Sequence, residues 1–430
     1  MRDLLASLTI RGRSFVATGV VLSIAALALG LDALLRAGVL VTALPLLGAF
    51  VSRRSGADVE VSRVVAPARL PLGRTAEVVL SLEDRASVPS GLLALDDQVP
   101  WALGPQARFV LRRGPRMRHH VVTYAITGEI RGRHAVGPLT VRTLDAFGLV
   151  QSVRTVPGTN AVTVVPGVVP LRPLGPAGAW SGTGEVRPHA LAVGGAEDLT
   201  VREYQRGDDL RRVHWRSTAR TGELMVRREE QPWQSRAAVL LDTRAVAHVG
   251  HGPTSSLEWA VTAAASAVVY LASEQVTVRL ACGGHGGAGS GWHDRSTHTW
   301  VQTGPLLDAL AGVTPAPEHT LAEDVGTMSG ESGLLVAVLG GLTPSDVARL
   351  RRLPGPARRT LCLLLDTESW QAGVAGPSPQ VRERAADLRG SGWGVSVVGP
   401  HDDLPRAWDR LARVQPLGVQ SSRVPVGQTP

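Results

Sequence analysis

The sequence predicts a multidomain protein: an N-terminal transmembrane helical hairpin, then a β-sandwich, then an α/β domain built on a parallel sheet. Three observations support this fold class. Two long uncharged segments lie near the N-terminus, short segments that alternate apolar and polar residues follow, and continuous apolar strands separated by helices make up the rest. At 430 residues the chain is also too long for one ordinary hydrophobic core.

The predicted hairpin covers residues 1–56. Residues 14–31 carry no charge and are long enough to span a bilayer, which takes about 17–25 residues, whereas residues 37–51 are marginal alone. The charged break at residues 32–36 is too short to be a domain. We therefore expect it to form the tip between two membrane helices.

Arginines flank the hairpin on both sides, and they are Arg11, Arg13, Arg53 and Arg54. The positive-inside rule places both flanks in the cytoplasm, so we expect a two-pass protein with cytoplasmic soluble domains. A cleaved signal peptide and a single span with an external body remain alternatives. Cys282 and Cys362 lie in apolar strand-like segments, are expected to be buried reduced thiols, and agree with the cytoplasmic choice.

Charge composition does not predict a nucleic-acid partner. The net charge is +8, but the basic residues are interleaved with acidic ones and form no long basic run. The sequence thus favours the lipid bilayer, and not nucleic acid, as a partner.

Two soluble domains with different periods follow the hairpin. Residues 57–166 alternate in short segments broken by Gly and Pro, which predicts a β-sandwich domain. Residues 167–195 are rich in Pro and Gly and are expected to be a linker or an extended strap. Residues 196–414 hold a charged segment and the α/β domain, and the tail 415–430 is expected to be disordered.

Within the α/β domain, apolar strands and helices alternate, which indicates a parallel sheet covered on both faces. The predicted strands lie at residues 237–243, 276–282, 333–340, 359–367 and 394–400, and the predicted helices at 256–274, 305–313, 344–352, 379–389 and 403–414.

The densest charge in the chain lies at residues 194–233, read GGAEDLTVREYQRGDDLRRVHWRSTARTGELMVRREEQPW. Such charges are costly to bury unless they pair, so this segment is interpreted as an ordered ion-pair network or an interaction surface. Asp208 is expected to cap a helix that ends at Gly222, with Trp215 facing inward and a strand over residues 223–229. The candidate interaction residues are Arg202, Glu203, Tyr204, Gly207, Asp208, Asp209, Arg212, Trp215, Arg220 and Gly222.

This segment resembles the signature of the bacterial domain of unknown function 58 family. The matching segments are REYQRGDDLRRVHW, STARTGELMVRREE and the strand ending LLDT. The segment RGRHAVGPLTVRTLDAFGL in the preceding β-rich domain also agrees with the family. The resemblance implies a von Willebrand factor A-like α/β domain and a MoxR-type AAA+ ATPase as partner, in the assembly or maturation of other proteins. It implies no reaction and no cofactor. An uncharacterised hydrolase-type enzyme is the alternative.

Asp242 ends the first strand of the α/β domain, where a von Willebrand A-like domain often holds Mg²⁺ with an Asp-x-Ser-x-Ser motif. Arg244 and Val246 stand at the serine positions here, and the later strand ends in Gly340 and Gly341, where an Asp commonly lies. The guanidinium is expected to repel a cation or to replace it by pairing with Asp242. We therefore predict a degenerate metal position that binds no metal.

No other motif predicts catalysis. His285, His293, Asp294 and His298 could ligate zinc, but their spacing matches no common zinc pattern and glycines surround them. An acid–base pair within Glu203, Asp208 and Asp209 is disfavoured because neighbouring arginines keep carboxylates ionised. No catalytic residue and no cofactor are predicted.

Overall fold

The computed structural model of the chain describes residues 7–55, 59–85, 91–112, 118–145, 147–174, 200–204, 213, 215–228, 236–274, 276–282, 292–293, 303–317, 321, 333–354, 358–372 and 376–413. Its contacts divide the chain into two compact units. The first consists of Met1–Val168 and Gly304–Thr314, and the second of Val169–Thr303 and Pro315–Pro430. The predicted tail at 415–430 lies outside the described residues.

Two apolar helices open the first unit, α1 at Ile10–Leu29 and α2 at Asp32–Ser55. Both are long and apolar enough to cross a membrane. The prediction that residues 32–36 form the tip was wrong, because Asp32 already begins α2. The connection is shorter: Gly30, at φ 64°, ends α1 in the left-handed conformation that glycine adopts without strain, and only Leu31 separates it from α2.

Small residues let α1 and α2 pack closely. A β-carbon added at Gly19 would lie 2.2 Å from Thr42 Oγ1, and one at Gly38 would lie 2.5 Å from Ser23 Oγ. The two hydroxyls donate to carbonyls in their own helices, at 2.8 Å for Ser23 and 3.0 Å for Thr42. Close approach through small side chains is how helices associate in lipid, where burial from water gives no driving force.

Among the described residues, ten strands follow, broken by Gly and Pro as the sequence indicated. They are β1 Val59–Ala66, β2 Arg69–Pro71, β3 Thr75–Asp84, β4 Leu92–Asp97, β5 Ala107–Arg112, β6 His119–Thr127, β7 Gly132–Val136, β8 Leu139–Leu144, β9 Gln151–Val156 and β10 Asn160–Val165. They form three sheets, in the orders β1-β3-β6, β2-β10-β7 and β5-β4-β8-β9. Alternate residues of β3 are buried, which is the period expected of a half-buried strand.

A buried polar contact joins the three sheets. Arg63 of β1 donates from Nε to Asp97 at the end of β4 over 3.0 Å, and from Nη1 to the carbonyl of Val136 in β7 over 3.3 Å. Tyr124 of β6 donates to the same Asp97 over 2.6 Å. Asp97 is fully buried, and these bonds compensate its charge.

One helix predicted for the α/β domain belongs to the first unit instead. α5, Gly304–Ala311, packs on β10, and Arg69 of β2 holds its Asp308 with a bidentate ion pair at 2.6–3.1 Å. Arg131 donates to the carbonyl of Val313 just after this helix over 2.6 Å. The sequence predicted this helix but not the sheet on which it packs, because its apolar face is too short to distinguish between the two domains.

The second unit is an α/β fold. Its main strands are β13 Arg236–Leu241, β14 Thr277–Cys282, β15 Trp292–His293, β16 Gly333–Leu339, β17 Arg358–Leu365 and β18 Gly394–Val398. They lie in the order β15-β14-β13-β16-β17-β18, all parallel except β15. The predicted parallel sheet is confirmed. When the strands of this sheet are numbered 1 to 6 from β13 to β18, their order is 3-2-1-4-5-6, which doubly wound folds share.

Helices cover both faces of this sheet. They are α4 Ser256–Ser273, α6 Pro344–Leu350, α7 Thr367–Ala372, α8 Pro379–Gly390 and α9 Leu404–Arg413. α4 is also apolar enough to span a membrane, but two thirds of it is buried against β13, β14 and β16. Cys282 and Cys362 are buried thiols in the strands, as predicted.

Residues 169–174 run extended over α4 and α9. Ser266 and Tyr270 of α4 accept hydrogen bonds from the backbone of Val169 and Leu174, at 3.0 and 2.9 Å. Trp408 of α9 donates to the carbonyl of Arg172 over 2.9 Å. The start of the predicted linker is therefore a strap, and residues 175–199 lie outside the description.

Candidate functional site

The carboxyl edge of the parallel sheet brings together the predicted metal position and the loop after β16. Asp242 follows β13 and is fully buried. Gly340 follows β16, and a β-carbon there would lie 2.0 Å from the backbone oxygen of Ala247, so only glycine fits. This close approach lets the two loops meet at the strand ends, where open α/β sheets bind their ligands.

Arg244 occupies the space between two buried carboxylates. Its Nε and Nη2 donate to the two oxygens of Asp242 at 2.9 and 2.8 Å, and its Nη1 donates to Asp346 at 2.9 Å. The side chain of Arg244 is 7% exposed, that of Asp242 0% and that of Asp346 5%. The prediction that the guanidinium pairs with Asp242 is confirmed, and the fork satisfies both carboxylates at once.

Sequence reasoning missed Asp346. It lies at the start of α6 and forms a capping box with Thr343, whose hydroxyl accepts from the Asp346 backbone over 3.2 Å. The Thr343 backbone and hydroxyl donate back to the Asp346 carboxylate at 3.0 and 2.8 Å. The signal was present, since Thr-x-x-Asp before an apolar turn indicates a helix start, although it gives no hint of Arg244.

The pKa values of Asp346 and Arg244 are both shifted by this arrangement. Burial raises the pKa of Asp346, but the hydrogen bonds from Thr343 and the pairing with Arg244 outweigh burial and leave that pKa below its ordinary value. For the cation Arg244 burial acts in the opposite direction and lowers the pKa, but pairing with the two carboxylates outweighs burial and leaves that pKa above its ordinary value. Arg244 and Asp346 therefore keep their charges near neutral pH, where a carboxylate with a lowered pKa is a poor general acid.

The residues do not fit a divalent cation at Asp242. Both carboxylates that face the position already accept from a guanidinium, and a cation would have to displace it. Within the described ranges there is no group of three or more His, Cys, Asp or Glu side chains suited to a metal. His293 lies in β15, while His285, Asp294 and His298 fall outside the description.

His248 and Ser256 form a close pair behind Asp242. His248 Nε2 lies 2.7 Å from the Asp242 carbonyl, which can only accept, so this nitrogen carries the proton. Nδ1 then faces the Ser256 hydroxyl at 3.1 Å. Burial lowers the pKa of His248, in keeping with a neutral ring. Ser256 is fully buried and also accepts from the Val249 backbone, so this Ser–His pair holds the loop and meets no substrate.

A small cavity of about 190 Å³ lies beside this network, between the loops after β16 and β17. Asp366, 1% exposed, lines it. One carboxylate oxygen accepts from the Ser378 backbone over 2.8 Å, and the other has no partner among the described residues. Glu368 and Arg384 stand at its wall.

The signature segment is described in part. Strands β11 Thr200–Glu203 and β12 Met225–Arg228 pair antiparallel, with helix α3 Trp215–Thr221 between them in the chain. β12 confirms most of the predicted strand at 223–229, and Gly222, at φ 78°, ends α3 as expected. The backbones of Arg202 and Glu203 lie in β11, whereas Gly207, Asp208, Asp209 and Arg212 lie outside the description.

Trp215 does not face inward. It is the first residue of α3 and is 70% exposed, which corrects the sequence expectation. The described helix begins at Trp215, and Val213 just before it lies in a β-bridge, so the helical phase that placed Trp215 inside does not apply. Tyr204 is half-buried, Arg220 is exposed, and Leu224 next to β12 is 41% exposed.

Comparison with known proteins matches part of the chain to one protein family. Residues 200–281, from the signature to the end of β14, match the model of the family described as Protein of unknown function DUF58. No curated protein matches the chain.

Among solved structures, the CARDB domain of the PF1109 protein from Pyrococcus furiosus is similar at 17% identity with a TM-score of 0.19, over 25% of this chain and 92% of that one. The alkylpurine DNA glycosylase AlkC from Pseudomonas fluorescens follows at 15% identity and a TM-score of 0.17, over 31% and 39%. A β-glucosidase from Listeria innocua gives 16% identity and a TM-score of 0.15, over 24% and 16%.

Scores this low carry no conclusion about fold or function. The match over residues 200–281, which covers β11, α3, β12 and the first strands of the parallel sheet, makes this part of the chain similar to the DUF58 family of proteins of unknown function.

Proposed function

We propose that this protein is a membrane-tethered scaffold that binds another protein through its signature segment. The observation that carries the proposal is Trp215, a large aromatic side chain left 70% exposed inside the segment that defines the family. Tryptophan is rarely so exposed in a folded domain, and it is among the residues that contribute most to protein interfaces. Leu224, 41% exposed, adds apolar surface in the same segment.

The charged triad supports binding over catalysis. At the edge where an α/β sheet usually carries its chemistry, Arg244 is paired with both Asp242 and Asp346, and His248 has both ring nitrogens engaged. The hydrolase-type alternative therefore lacks an accessible nucleophile–base pair among these residues. The cavity beside Asp366 is the place where such an enzyme would bind a small molecule.

The finer assignments belong to the same proposal. We infer a β-sandwich from hydrophobic clusters that draw side chains from more than one sheet, and a von Willebrand A-like domain from the 3-2-1-4-5-6 strand order. The arginines at both ends of the hairpin support a cytoplasmic body. The family resemblance supports a MoxR-type AAA+ ATPase as the partner.

The test is capture of a purified MoxR-type ATPase from the same organism by the full chain in detergent. Trp215→Ala should lower capture at least about tenfold, the loss expected of an interface hot spot. Trp101→Ala is the matched control, because Trp101 is 76% exposed but lies in the β-rich segment. Equal capture by both variants, or no capture by the wild type, contradicts the proposal.

Charge reversal at Asp208 and Asp209 separates two versions of the contact. Loss of capture on reversal, with Trp215 intact, extends the surface to those carboxylates. Unchanged capture confines it to the exposed residues of α3 and β12. A reporter fused after Pro430 tests the orientation, since activity only on the external face excludes a cytoplasmic ATPase as partner.

A further inference from the structure

The turn between β8 and β9 packs on the base of the helical hairpin. Thr9, just before α1, donates from its backbone to the Leu149 carbonyl over 3.0 Å and from its hydroxyl to the Gly148 carbonyl over 2.7 Å. Gln151 donates back to the Ser7 carbonyl over 2.8 Å. The chain just before α1 thus pairs with this turn much as a neighbouring strand would.

Both helices take part in this contact. Leu8, Ala49, Leu149 and Val150 form a buried cluster in which no side chain is more than 4% exposed. A β-carbon at Gly12 of α1 would lie 2.2 Å from the Leu149 carbonyl oxygen, so the turn rests directly on the helix backbone. The hairpin is therefore docked on the β-rich segment and is not a free tether.

Helix length fixes the level of this contact in a bilayer. At 1.5 Å per residue, Gly12 lies about 27 Å along α1 from Gly30 at the tip. Ala49 lies about 26 Å along α2 from Asp32 by the same rise. A hydrocarbon core about 30 Å thick places the turn at the boundary between acyl chains and headgroups.

The side chains around the contact suit that boundary. Arg11 and Arg13 flank Gly12 and are exposed, where their guanidinium groups can reach lipid phosphates. Phe147, in the turn, is 70% exposed. Asp145 accepts from the backbones of Phe147 and Val150 at 3.3 and 2.8 Å and so fixes the turn that presents this ring.

We propose that Phe147 inserts into the headgroup region of the bilayer, as a third membrane contact beside the two helices. An exposed apolar ring there leaves water without needing a protein partner, at the headgroup–acyl boundary where interfacial segments bury Trp, Phe and Leu side chains. The contact sets the orientation of the β-rich segment at the membrane. It rests on the hairpin spanning the bilayer and is independent of the partner protein and of which side the body occupies.

Depth-dependent quenching tests this insertion. The full chain carrying Phe147→Cys is labelled with an environment-sensitive fluorophore and reconstituted in phosphatidylcholine–phosphatidylglycerol vesicles with nitroxide lipids. Labelling of the buried Cys282 and Cys362 is measured on the unsubstituted chain and subtracted. Thr155→Cys is the control, because Thr155 is exposed on β9 but pairs with Thr140, toward the far end of the same strand pair.

Nitroxides near the headgroup should quench the label at residue 147 at least about twofold more than the label at residue 155. Nitroxides at the ends of the acyl chains should quench the label at 147 less than the shallow ones do. Equal quenching at the two positions, or none at 147, overturns the proposal. Phe147→Ser with a label at Gln151 repeats the test, because the proposal predicts weaker quenching there than with Phe147 intact.

Discussion

Replacing Arg244 with methionine should destabilise the α/β unit strongly. Methionine fills most of the space of the arginine side chain but leaves Asp242 and Asp346, 0% and 5% exposed, without a positive partner. Breaking a buried ion pair by removing one member typically costs about 3–5 kcal/mol, since the remaining charge stays desolvated. At 2–4 °C per kcal/mol for a unit of this size, the melting temperature should fall by about 6–20 °C.

The assay is thermal and urea unfolding of the full chain in detergent, followed by tryptophan fluorescence. Arg172→Met is the matched control, because Arg172 pairs with Asp409 over 3.3 Å but is 77% exposed. Exposed ion pairs contribute about 0–1 kcal/mol, so this control should unfold nearly as the wild type does.

A double substitution separates charge from packing. Adding Asp242→Asn to Arg244→Met removes one uncompensated carboxylate and should recover part of the lost stability. If Arg244→Met costs no more than Arg172→Met, or if Asp242→Asn adds its own loss in full, the triad is not the stabilising element described above.

Four further outcomes follow from the contacts of the triad and from the close approaches at two glycines. Arg244→Ser should let Mg²⁺ stabilise the chain by about 1.4 kcal/mol at tenfold excess over its dissociation constant, with no effect on the wild type in melting curves. Asp346→Asn should lower the free energy of unfolding in urea more at neutral pH than in acid. The folded pKa of Asp346 lies below 3.8, so its carboxylate stabilises the fold above that value, and this contribution disappears as the pH falls through the folded pKa. Gly340→Ala should cost about 1–3 kcal/mol in urea, because its methyl meets a backbone oxygen. Gly38→Leu should lower the melting temperature of the hairpin in detergent, since a β-carbon there lies 2.8 Å from a backbone nitrogen of α1.

Matched positions show whether these effects are local. Gly390→Ala has open space around its β-carbon and should unfold within about 1 kcal/mol of the wild type. Ala37→Leu places the same side chain at the exposed position next to Gly38 and should leave the melting temperature of the hairpin unchanged. Similar losses at the control and test positions refute the steric reasoning. No melting response of Arg244→Ser to Mg²⁺, or a pH-independent loss in Asp346→Asn, refutes the electrostatic reasoning.

The sequence predicted the helices and strands better than it predicted the contacts between them. Apolar strands such as β16 and β17 are predictable because burial on both faces demands continuous apolar residues. The sheet on which α5 packs was not predictable, because the sequence of a short amphipathic helix shows which face is buried but not which element covers that face. Asp346 was missed because its contact with Arg244 joins residues 102 positions apart, and the pairing of Arg244 with Asp242 was found because they are two apart.

The proposed interaction surface depends on the exposure of Trp215, which is a property of the tertiary structure. A tryptophan within a charged helical pattern predicts burial, and the shorter α3 reverses this for Trp215. Helix ends are set by the chain before them, here residues outside the description, so the phase of so short a helix does not follow from its own sequence.

The most direct measurement is site-specific photo-crosslinking in native membranes, with a photoreactive amino acid at position 215 and, as control, at position 101. A membrane-tethered scaffold that binds through its signature segment predicts a crosslink from position 215 to a MoxR-type AAA+ ATPase, identified by mass spectrometry, and none from position 101. Absence of that ATPase from the products at 215, or its equal recovery at both positions, contradicts the proposed function.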